Sequence, residues 1–569
     1  PKIFTENIIA GSGRKSLFYR PVQMLTYVLD YSLWKLNVQG YHLTNIVLHV
    51  LAALSVYFLL NVIFGNNRLS LLTGILFIIH PIHTEVVAYI SGRADSLALL
   101  FMMLCFLFYI KRFGSKNINT YILMVLSYMA ALLSRENSLI LPAIILVYHY
   151  SFKKKIAVNE FCSIVGLAFI YILLRMTVFK TLLVDDTPSI TTLSQRLPGF
   201  FAAISQYVRL LFLPFDLHME YGHQLFHWGD IKAILGVAIC VSSVVFVLKR
   251  REKDKIVFFS IAWFFISLLP VSNLYPINAY MSEHWLYLPS VGFFLIAAKS
   301  IDSLCGIKNL KMVIIIFASG LVIFYSYLTV RQNVYWGEKM VLYEWTLKCA
   351  PDSSRAHNNL GSVYVAENRE KEAITLYKKA VEINPENVEA YNNLGVVYAS
   401  ANRAEEAIEL YKKAIDINPS YADAHYNFGV VYAITNETEK AITAYKEAIK
   451  IHPGYIEAYF HLGVACDVMN RKEEAVVLFQ KAIELNPDYV DAHNNLGVLY
   501  GKMGRKQEAL SAYKKAIEIN PDFVQAYLNL SVAYLHDRQY KLAIEYCDKA
   551  KELGFVDSGL VELLNSYRE

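Results

Sequence analysis

The feature that most constrains the fold is a strict repeat in the last part of the chain. Prolines recur there every 34 residues, at positions 351, 385, 419, 453, 487 and 521. Between them, small and aromatic residues return at fixed offsets, such as Gly361, Tyr377 and Ala380 in the first unit. Small residues let two helices approach, aromatic rings fill the space between them, and proline ends the second helix. The repeat therefore predicts an α-solenoid of helix pairs.

The period and the residue pattern are those of the tetratricopeptide repeat (TPR). We predict a TPR superhelix over residues 331–569, with a half-repeat at 331–353, six repeats at 354–557 and a polar-faced cap at 558–569. Repeats of this kind form a concave groove that binds extended peptides or proteins. The second part of the chain is therefore predicted to hold a protein partner.

One groove position carries a side-chain amide in nearly every repeat. The residues at this position are Asn359, Asn393, Asn427, His461, Asn495 and Asn529. An asparagine can bond both the N–H and the C=O of a peptide backbone. The series resembles the asparagine ladder of O-GlcNAc transferase, which implies a peptide acceptor along the groove. The same amides are also common consensus residues of the repeat, and the sequence leaves both explanations open.

Residues 1–330 have a different character, with repeated apolar segments that raise the mean hydropathy of the whole chain to +0.33. Only helices and closed barrels satisfy their backbone hydrogen bonds in a bilayer. We therefore predict an all-α fold, with a polytopic helical membrane domain over 1–330 followed by the TPR solenoid. About ten spans are predicted, near residues 43–64, 68–82, 94–112, 119–134, 136–151, 156–179, 231–248, 255–270, 285–299 and 311–330.

Basic clusters orient these segments. Lys111, Lys153 to Lys155 and Lys249 to Lys255 border apolar runs, and such clusters stay in the cytoplasm. Alternation then places the TPR domain on the non-cytoplasmic side, provided that Phe200–Leu213 is re-entrant or interfacial. The sequence predicts an integral protein of the bacterial inner membrane or the endoplasmic reticulum. The net charge of +5 reflects this topology and does not indicate a nucleic-acid partner.

Charged and polar side chains collect on the predicted non-cytoplasmic rim. They are Arg20, His42, His80, His83, Glu85, Arg93, Asp95, Arg135, Glu136, Glu283 and His284. A charge beside hydrocarbon costs a few kcal/mol unless it faces a cavity or a partner. Shared sidedness and both signs of charge predict one site. Structural roles remain open for single members: His42 between helices, Glu85 as a cap, and Arg135 paired with Glu136.

The chemistry that fits this rim is transfer from a lipid phosphate to a hydroxyl. Arginine binds phosphate through two parallel hydrogen bonds, and a carboxylate can take a proton from an attacking hydroxyl. No Gly-rich phosphate loop, serine elbow, HExxH or kinase signature supports a nucleotide-driven or hydrolytic reaction. No bound cofactor is predicted. A divalent metal is not expected, because nothing in the spacing of Glu85 and Asp95 demands one.

Several motifs resemble those of the transmembrane and TPR-repeat-containing (TMTC) proteins. They are Tyr19-Arg20-Pro21, Gly40-Tyr41-His42-Leu43, His80-Pro81-Ile82-His83-Thr84-Glu85, Gly92-Arg93-Ala94-Asp95 and Leu286-Tyr287-Leu288-Pro289-Ser290. The resemblance implies a GT-C glycosyltransferase fold and a polyprenyl-phosphate sugar donor, dolichyl-phosphate mannose in eukaryotes. It also implies transfer to Ser or Thr hydroxyls of protein acceptors, with the TPR domain binding the acceptor. No nucleic acid takes part.

The chain departs from the GT-C pattern in two respects. Enzymes of this kind carry an acidic pair after their first span, whereas Glu6 and Asp30 stand alone here. We expect the first span and the catalytic base to precede Pro1. His284 also stands where relatives often have arginine, so the resemblance assigns the donor phosphate to Arg93 or Arg135. The remaining residues of the His80–Asp95 motif would shape the sugar and acceptor pocket.

Two other functions fit the same sequence. A non-enzymatic membrane scaffold would use the TPR groove to assemble partners, with a rim that is structural or conducts a small solute. A lipid-linked oligosaccharide ligase or polymerase would share the donor and the topology but not the acceptor. The sequence does not fix the sugar, the acceptor or the oligomeric state.

Overall fold

The computed structural model describes residues 19–113, 117–177, 192–221, 226–250, 252–273, 279–307, 309–554 and 558–567. Throughout these ranges the regular structure is helical, without a strand. The predicted all-α fold is confirmed. The described residues fall into two compact units, one ending at Val363 and the other beginning at Tyr364.

The described part of the first unit begins with a short helix and continues through a helical bundle. Its helices are α1 (Pro21–Trp34), α2 (Val38–Phe64), α3 (Asn67–Ile79), α4 (Thr84–Ala88), α5 (Arg93–Arg112), α6 (Ile118–Ser134), α7 (Leu141–Phe152), α8 (Val158–Thr177), α9 (Leu193–Phe212), α10 (Ile231–Arg250), α11 (Lys255–Leu268), α12 (Ser290–Cys305), α13 (Lys311–Gly337) and α14 (Lys339–Cys349). Short 3-10 turns lie at Pro81–His83, Ile90–Gly92, Glu136–Ile140, Leu269–Val271 and Glu283–Leu286.

A helix lies at every predicted span, but the helices differ in length. Five helical segments in the described ranges are long and apolar enough to cross a membrane: α2, Ile90–Arg112, α8, Ile231–Lys249 and α13. The pair Asn67–Ile79 and Pro81–Ala88 makes a sixth if it counts as one broken span. Helices such as α7, with 12 residues, and α11, with 14, are shorter than the ~20 residues of a straight span. Helix α9 is not among the candidate spans, and the predicted re-entrant or interfacial position of Phe200–Leu213 stays a prediction.

Proline causes the break in the second predicted span. Pro81 has no N–H, and it disfavours helical backbone at the residue before it. His80 accordingly has extended backbone, with φ −72° and ψ 129°. Its ring accepts a hydrogen bond from the Ile82 N–H and so replaces one missing helical bond. The chain bends by 56° at this point, which brings Glu85 to the rim of the bundle.

Helix α5 lies at the centre of the bundle. In the segment Ile90–Arg112, 67% of the most apolar window is buried, against 11% for the corresponding window of α13. Buried side chains of α5 such as Phe106 and Tyr109 pack into the same core as α2 and α6. Helices α10 and α13 are largely exposed by this measure. The residues that α5 carries at its N-terminus are therefore anchored in the best-packed part of the unit.

The repeat region forms helix pairs at the predicted period. The helices are α15 (Ser354–Ala366), α16 (Glu370–Ile383), α17 (Val388–Ser400), α18 (Ala404–Ile417), α19 (Ala422–Ile434), α20 (Thr438–Ile451), α21 (Ile456–Val468), α22 (Lys472–Leu485), α23 (Val490–Lys502), α24 (Lys506–Ile519), α25 (Val524–His536), α26 (Tyr540–Glu552) and α27 (Ser558–Asn565). Helix α13 continues to Gly337, across the predicted domain boundary at residue 330. The predicted boundary itself stays a prediction.

In each of the central repeats, an aromatic ring of the second helix packs directly against a glycine of the first helix. A Cβ atom on Gly429 would lie 2.6 Å from the Tyr445 ring, and one on Gly497 would lie 2.6 Å from the Tyr513 ring. Both rings are buried. The repeat therefore needs glycine there because a helix backbone lies against the face of an aromatic ring.

We predict opposite effects for alanine at two glycines of α23. Gly497→Ala forces the Tyr513 ring aside, and overpacking costs typically 1–3 kcal/mol, which outweighs a propensity gain of about 1 kcal/mol. At Gly501 the nearest atom to an added Cβ is the Tyr513 hydroxyl at 3.9 Å, so Gly501→Ala gains stability. Hydrogen exchange of α23 and α24 in the full chain measures both effects. Faster exchange in both variants would contradict this packing.

Candidate functional site

Arg93 is the most completely buried charge of the predicted rim. Its guanidinium has no exposed side-chain surface and pairs with Asp30 of α1 at 2.6 Å. Its Nε donates to the Asn45 side chain at 2.9 Å, and its Nη atoms donate to the Thr26 hydroxyl and the Tyr41 carbonyl, each at 3.2 Å. These partners join α1, α2 and α5. Asp30 stands alone in sequence but is paired in the fold.

This bonding pattern bears on the role that the resemblance implies for Arg93. A guanidinium has five N–H donors in a fixed plane, and the four bonds to Asp30, Asn45, Thr26 and Tyr41 occupy most of them. A donor phosphate could bind Arg93 only after displacing a buried carboxylate. The geometry supports a structural role for this residue, and its phosphate-binding role stays a prediction.

A second group of charges links α1, α5, α6 and α8. Arg20 donates to Glu136 at 3.1 Å, and Arg175 donates to the other oxygen of Glu136 at 2.9 Å. Arg135 pairs with Asp95, and not with its neighbour Glu136 as one interpretation of the sequence allowed. Three guanidinium groups thus face two carboxylates. We call these five residues the arginine cluster.

The pKa of Glu136 shows the electrostatic effect of the arginine cluster. Burial acts to raise the pKa of Glu136, but Arg20 and Arg175 outweigh it and bring the pKa down to about 2. A carboxylate with two cationic partners keeps its charge through the physiological range. The arginine cluster therefore carries a surplus of positive charge.

A third group of polar residues is built around two glutamates. Glu85 accepts from the backbone N–H of His284 at 2.9 Å and from His284 Nδ1 at 2.7 Å. Glu283 is buried, and its Oε1 accepts from the His218 N–H and the Tyr221 hydroxyl, each at 2.6 Å. We call these five residues the carboxylate cluster. Arg135 interacts electrostatically with Glu85, so the two clusters adjoin.

Burial and like charge act together on Glu283. Burial raises the pKa of Glu283 well above its usual range, and the nearby charge of Glu85 raises it further, against the hydrogen bonds from Tyr221 and His218. Two close carboxylates cannot both ionise without cost, so one of them holds a proton. Burial is the largest of the effects on Glu283, so we assign the proton to Glu283.

Of the four histidines predicted for the pocket, His284 belongs to the carboxylate cluster, and His42, His80 and His83 belong to neither cluster. His80 and His83 are 1% and 2% exposed. The Nε2 of His80 lies 3.2 Å from the Leu211 carbonyl, and the Nδ1 of His83 lies 2.7 Å from the Phe77 carbonyl. These contacts fit helix-joining roles. His42 is half-buried and makes no hydrogen bond in the described part of the chain. The pocket roles predicted for the three stay predictions.

The structure adds residues that the sequence did not single out. Arg175 lies within an apolar span, and His218 and Tyr221 lie in a loop after α9. Arg209 of α9 is half-buried, donates to Gln206 at 3.1 Å and lies close enough to Glu283 to lower its pKa. Only the fold brings His218, Tyr221 and Arg209 to Glu283 and Arg175 to Glu136, and a single residue of these types gives no signal of its own in the sequence.

The predicted amide ladder is half-exposed in the repeat region. Asn427 donates to Asn392 at 2.9 Å, and Asn529 donates to Asn494 at 2.8 Å. The ring of His461 stacks on the ring of Tyr445. Each ladder amide therefore has a neighbour that fixes its orientation. A peptide-binding role for Asn359, Asn393, Asn427, His461, Asn495 and Asn529 stays a prediction.

Comparison with known proteins identifies homologues of this chain. The Caenorhabditis elegans protein O-mannosyl-transferase F38B6.6 is 29% identical over 387 residues, which cover 64% of this chain and 54% of the relative. The mouse protein O-mannosyl-transferase TMTC3 is 25% identical over 399 residues, which cover 63% of this chain and 43% of the relative. The curated homologues of this chain are TMTC protein O-mannosyl-transferases. The predicted resemblance to the TMTC family is confirmed, and the chain spans about half the length of these relatives.

Family models confirm the repeats of this TMTC homologue. A model described as "TPR repeat" matches residues 361–402, 397–434, 431–466 and 469–504, and models described as "Tetratricopeptide repeat" match 490–523 and 512–545. The solved structure titled "Crystal structure of MamA" is 30% identical, covers 28% of this chain and 95% of its own, and has a TM-score of 0.27.

We predict that loss of Arg93 destabilises the fold. Arg93→Met leaves Asp30 buried without its cation, and breaking a buried ion pair costs roughly 3–5 kcal/mol. Adding Asp30→Asn to Arg93→Met removes the orphaned charge and recovers much of the loss. Melting temperatures of the full chain in detergent measure both effects. An Arg93→Met variant that melts like the wild type would contradict the structural role.

We predict a pH-dependent contribution from Glu136. Its folded pKa of about 2 lies below the ordinary value of 4.5, so the stabilisation is complete above about pH 4.5 and is lost as the pH falls toward 2. Glu136→Gln should therefore lower stability by about 2 kcal/mol at pH 7 and by little near pH 2. Melting temperatures against pH test this.

The matched control for Glu136 is Glu252→Gln, which removes an exposed ion pair with Lys153. Exposed pairs contribute little, so this variant should follow the wild type at every pH. A Glu136→Gln deficit that stays constant from pH 7 to pH 2 would contradict the ion-pair explanation.

Proposed function

We propose that this chain carries the donor and acceptor site of a membrane glycosyltransferase. In this function, mannose moves from a polyprenyl- or dolichyl-phosphate donor to Ser or Thr hydroxyls of a protein acceptor. The names of the curated homologues support the reaction class. The observation that carries the proposal is the junction of the carboxylate cluster with the arginine cluster at one rim of a helical membrane unit.

The arginine cluster suits an anionic donor. Its three guanidinium groups face its own two carboxylates and the single negative charge that Glu85 and Glu283 share, so an incoming phosphate binds through guanidinium and O–H donors and not through a net positive charge. The phosphate of a lipid-linked sugar lies at the depth of the membrane interface, where cations at a helix rim can reach it. Charge-assisted bonds there strengthen as the glycosidic bond breaks, because negative charge develops on the phosphate.

The carboxylate cluster supplies hydrogen-bond donors beside this charge. A protonated Glu283 offers an O–H to a phosphate oxygen and does not repel it, whereas an ionised Glu283 would repel it. His284 donates its Nδ1–H to Glu85, and in the doubly protonated imidazolium form it would also offer an Nε2–H to a phosphate oxygen. In that form histidine acts where relatives often have arginine. The acceptor oxygen attacks the anomeric carbon, and the phosphate departs with the electron pair.

The proton of the acceptor hydroxyl needs a base. The GT-C resemblance implies an acidic residue for this role, and we assign Glu283 instead to the leaving-phosphate side. The reaction as written needs no metal. The TPR groove would hold the acceptor, and the basic clusters near Lys153 and Lys249 favour a rim and a TPR domain on the non-cytoplasmic side.

We predict that substitutions in the carboxylate cluster lower the rate of sugar transfer to different degrees. The assay uses the full-length protein in lipid vesicles with labelled polyprenyl-phosphate mannose and a Ser/Thr-containing protein acceptor. Glu283→Ala removes the donor to the phosphate, and loss of such a donor lowers kcat about 10²–10³-fold. Glu283→Gln keeps an N–H donor and should retain more activity than Glu283→Ala. Glu85→Gln lowers kcat because His284 loses the carboxylate that orients it.

The control is again Glu252→Gln, which lies at a basic cluster predicted to be cytoplasmic and should leave transfer unchanged. Equal activity of the wild type and Glu283→Ala would contradict the proposed site. A wild-type protein that binds acceptor but consumes no donor would favour the scaffold. Transfer to lipid-linked glycans, and not to protein, would favour the ligase.

A further inference from the structure

Both polar groups of the peptide between Leu217 and His218, its N–H and its C=O, are hydrogen-bonded. Its N–H, which belongs to His218, donates to Glu283 Oε1 at 2.6 Å. Its carbonyl, which belongs to Leu217, accepts from the Gln332 side chain at 3.0 Å and from the Trp345 indole N–H at 2.8 Å. A carbonyl oxygen has two lone pairs, and these two donors use both. The peptide plane is thus fixed between Glu283 on one side and α13 and α14 on the other.

The surrounding loop has no other regular structure to set this orientation. It follows the end of α9 at Phe212, and Asp216 has a left-handed backbone with φ +59°, which is uncommon for a residue other than glycine. The Tyr325 hydroxyl of α13 donates to the Phe212 carbonyl at 3.2 Å. Glu220 is buried and pairs with Arg355 at 3.2 Å. Contacts from α13, α14 and the start of α15 therefore hold the loop.

A peptide group transmits hydrogen bonding from one side to the other. In a trans peptide the C=O and the N–H point in opposite directions, so donors to the oxygen aim the N–H at Glu283. Hydrogen bonds in such a chain polarise one another, so donors at the oxygen strengthen the N–H as a donor. A stronger N–H donor favours the ionised form of the carboxyl that it meets.

We propose that Trp345 and Gln332 are positioning residues that act on Glu283 through the Leu217–His218 peptide. Neither touches Glu283 itself. The proposal deepens the proposed function and rests on it, since it gives Glu283 a tuned protonation state at the donor phosphate. Trp345 lies on α14 and Gln332 on α13, so the same bonds link Glu283 to these two helices.

Other groups also act on the protonation of Glu283, and they remain in place when the indole or the amide is removed. The titratable or charged groups that face it from the packed elements are Glu85, Tyr207, Arg209, His218, Tyr221 and Cys349. None of them contacts the Leu217 carbonyl through a hydrogen bond in the described part of the chain. A shift in the titration of Glu283 after removal of the Trp345 indole N–H is therefore attributed to the Leu217–His218 peptide.

The chain offers a matched pair of tryptophans for the test. Trp345→Phe removes an indole N–H that is bonded to the Leu217 carbonyl. Trp336→Phe removes an indole N–H that is buried and has no hydrogen-bond partner in the described part of the chain. Gln332→Met removes the second donor while keeping the length of the side chain. The full-length protein in lipid vesicles is used for every variant.

The primary measurement is infrared titration of the protonated carboxyl of Glu283, identified as the C=O band that Glu283→Gln removes. We expect Trp345→Phe and Gln332→Met each to raise the midpoint of this band by about half a pH unit, the effect of weakening one hydrogen bond. Trp336→Phe should leave the midpoint unchanged. An unchanged midpoint in both Trp345→Phe and Gln332→Met, or the same shift in Trp336→Phe, would overturn the proposal.

Sugar transfer gives the second measurement. In Trp345→Phe and Gln332→Met, the fall of kcat on the alkaline side should occur at a higher pH than in the wild type. KM for the donor should be unchanged. If the wild type transfers sugar and these limbs coincide with the wild-type limb, the positioning role fails while the proposed function stands. If the wild type transfers no sugar, the proposed function fails, and the infrared titration still decides whether the peptide tunes Glu283.

Discussion

Pairing of buried charge is the interaction on which the membrane unit depends. A guanidinium or carboxylate beside hydrocarbon costs several kcal/mol unless it meets an opposite charge. Arg93 satisfies this requirement with Asp30 and with hydrogen bonds to α1 and α2, so α1 is tied to two helices of the bundle. Arg20, Glu136 and Arg175 tie the same α1 to α8. These pairs fix the helix ends, and the fixed helix ends define the rim.

The rim combines a closed ion pair with charges that balance only between its two clusters. The Arg93 pair is closed, because partners occupy most of its donors. The arginine cluster has one cation more than it has carboxylates, and the adjoining carboxylate cluster holds one proton and one negative charge between Glu85 and Glu283. A lipid phosphate matches this combination of guanidinium groups and a protonated carboxyl. Helix α5 supports both sides of the rim, since it carries Arg93 and Asp95 from the most buried part of the bundle.

Sequence alone predicted the repeat architecture closely, because a 34-residue period and its proline positions set helix bounds directly. It also predicted a helix at each apolar segment and most members of the rim. It could not separate Arg93 from Arg135 as phosphate ligands, because the partner of Arg93, Asp30, lies on another helix. It also gave no sign of His218 or Tyr221. Contacts between distant segments decide these roles, and a local pattern does not record them.

The central claim is that the two adjoining clusters bind the phosphate and sugar of a lipid-linked donor. The most direct measurement is a structure of the full-length protein with a non-hydrolysable polyprenyl-phosphate mannose analogue. We predict the phosphate within hydrogen-bond distance of Glu283 and of His284 or Arg135. A headgroup bound beside Lys153, at the other predicted face, or bound away from both clusters, would contradict the claim.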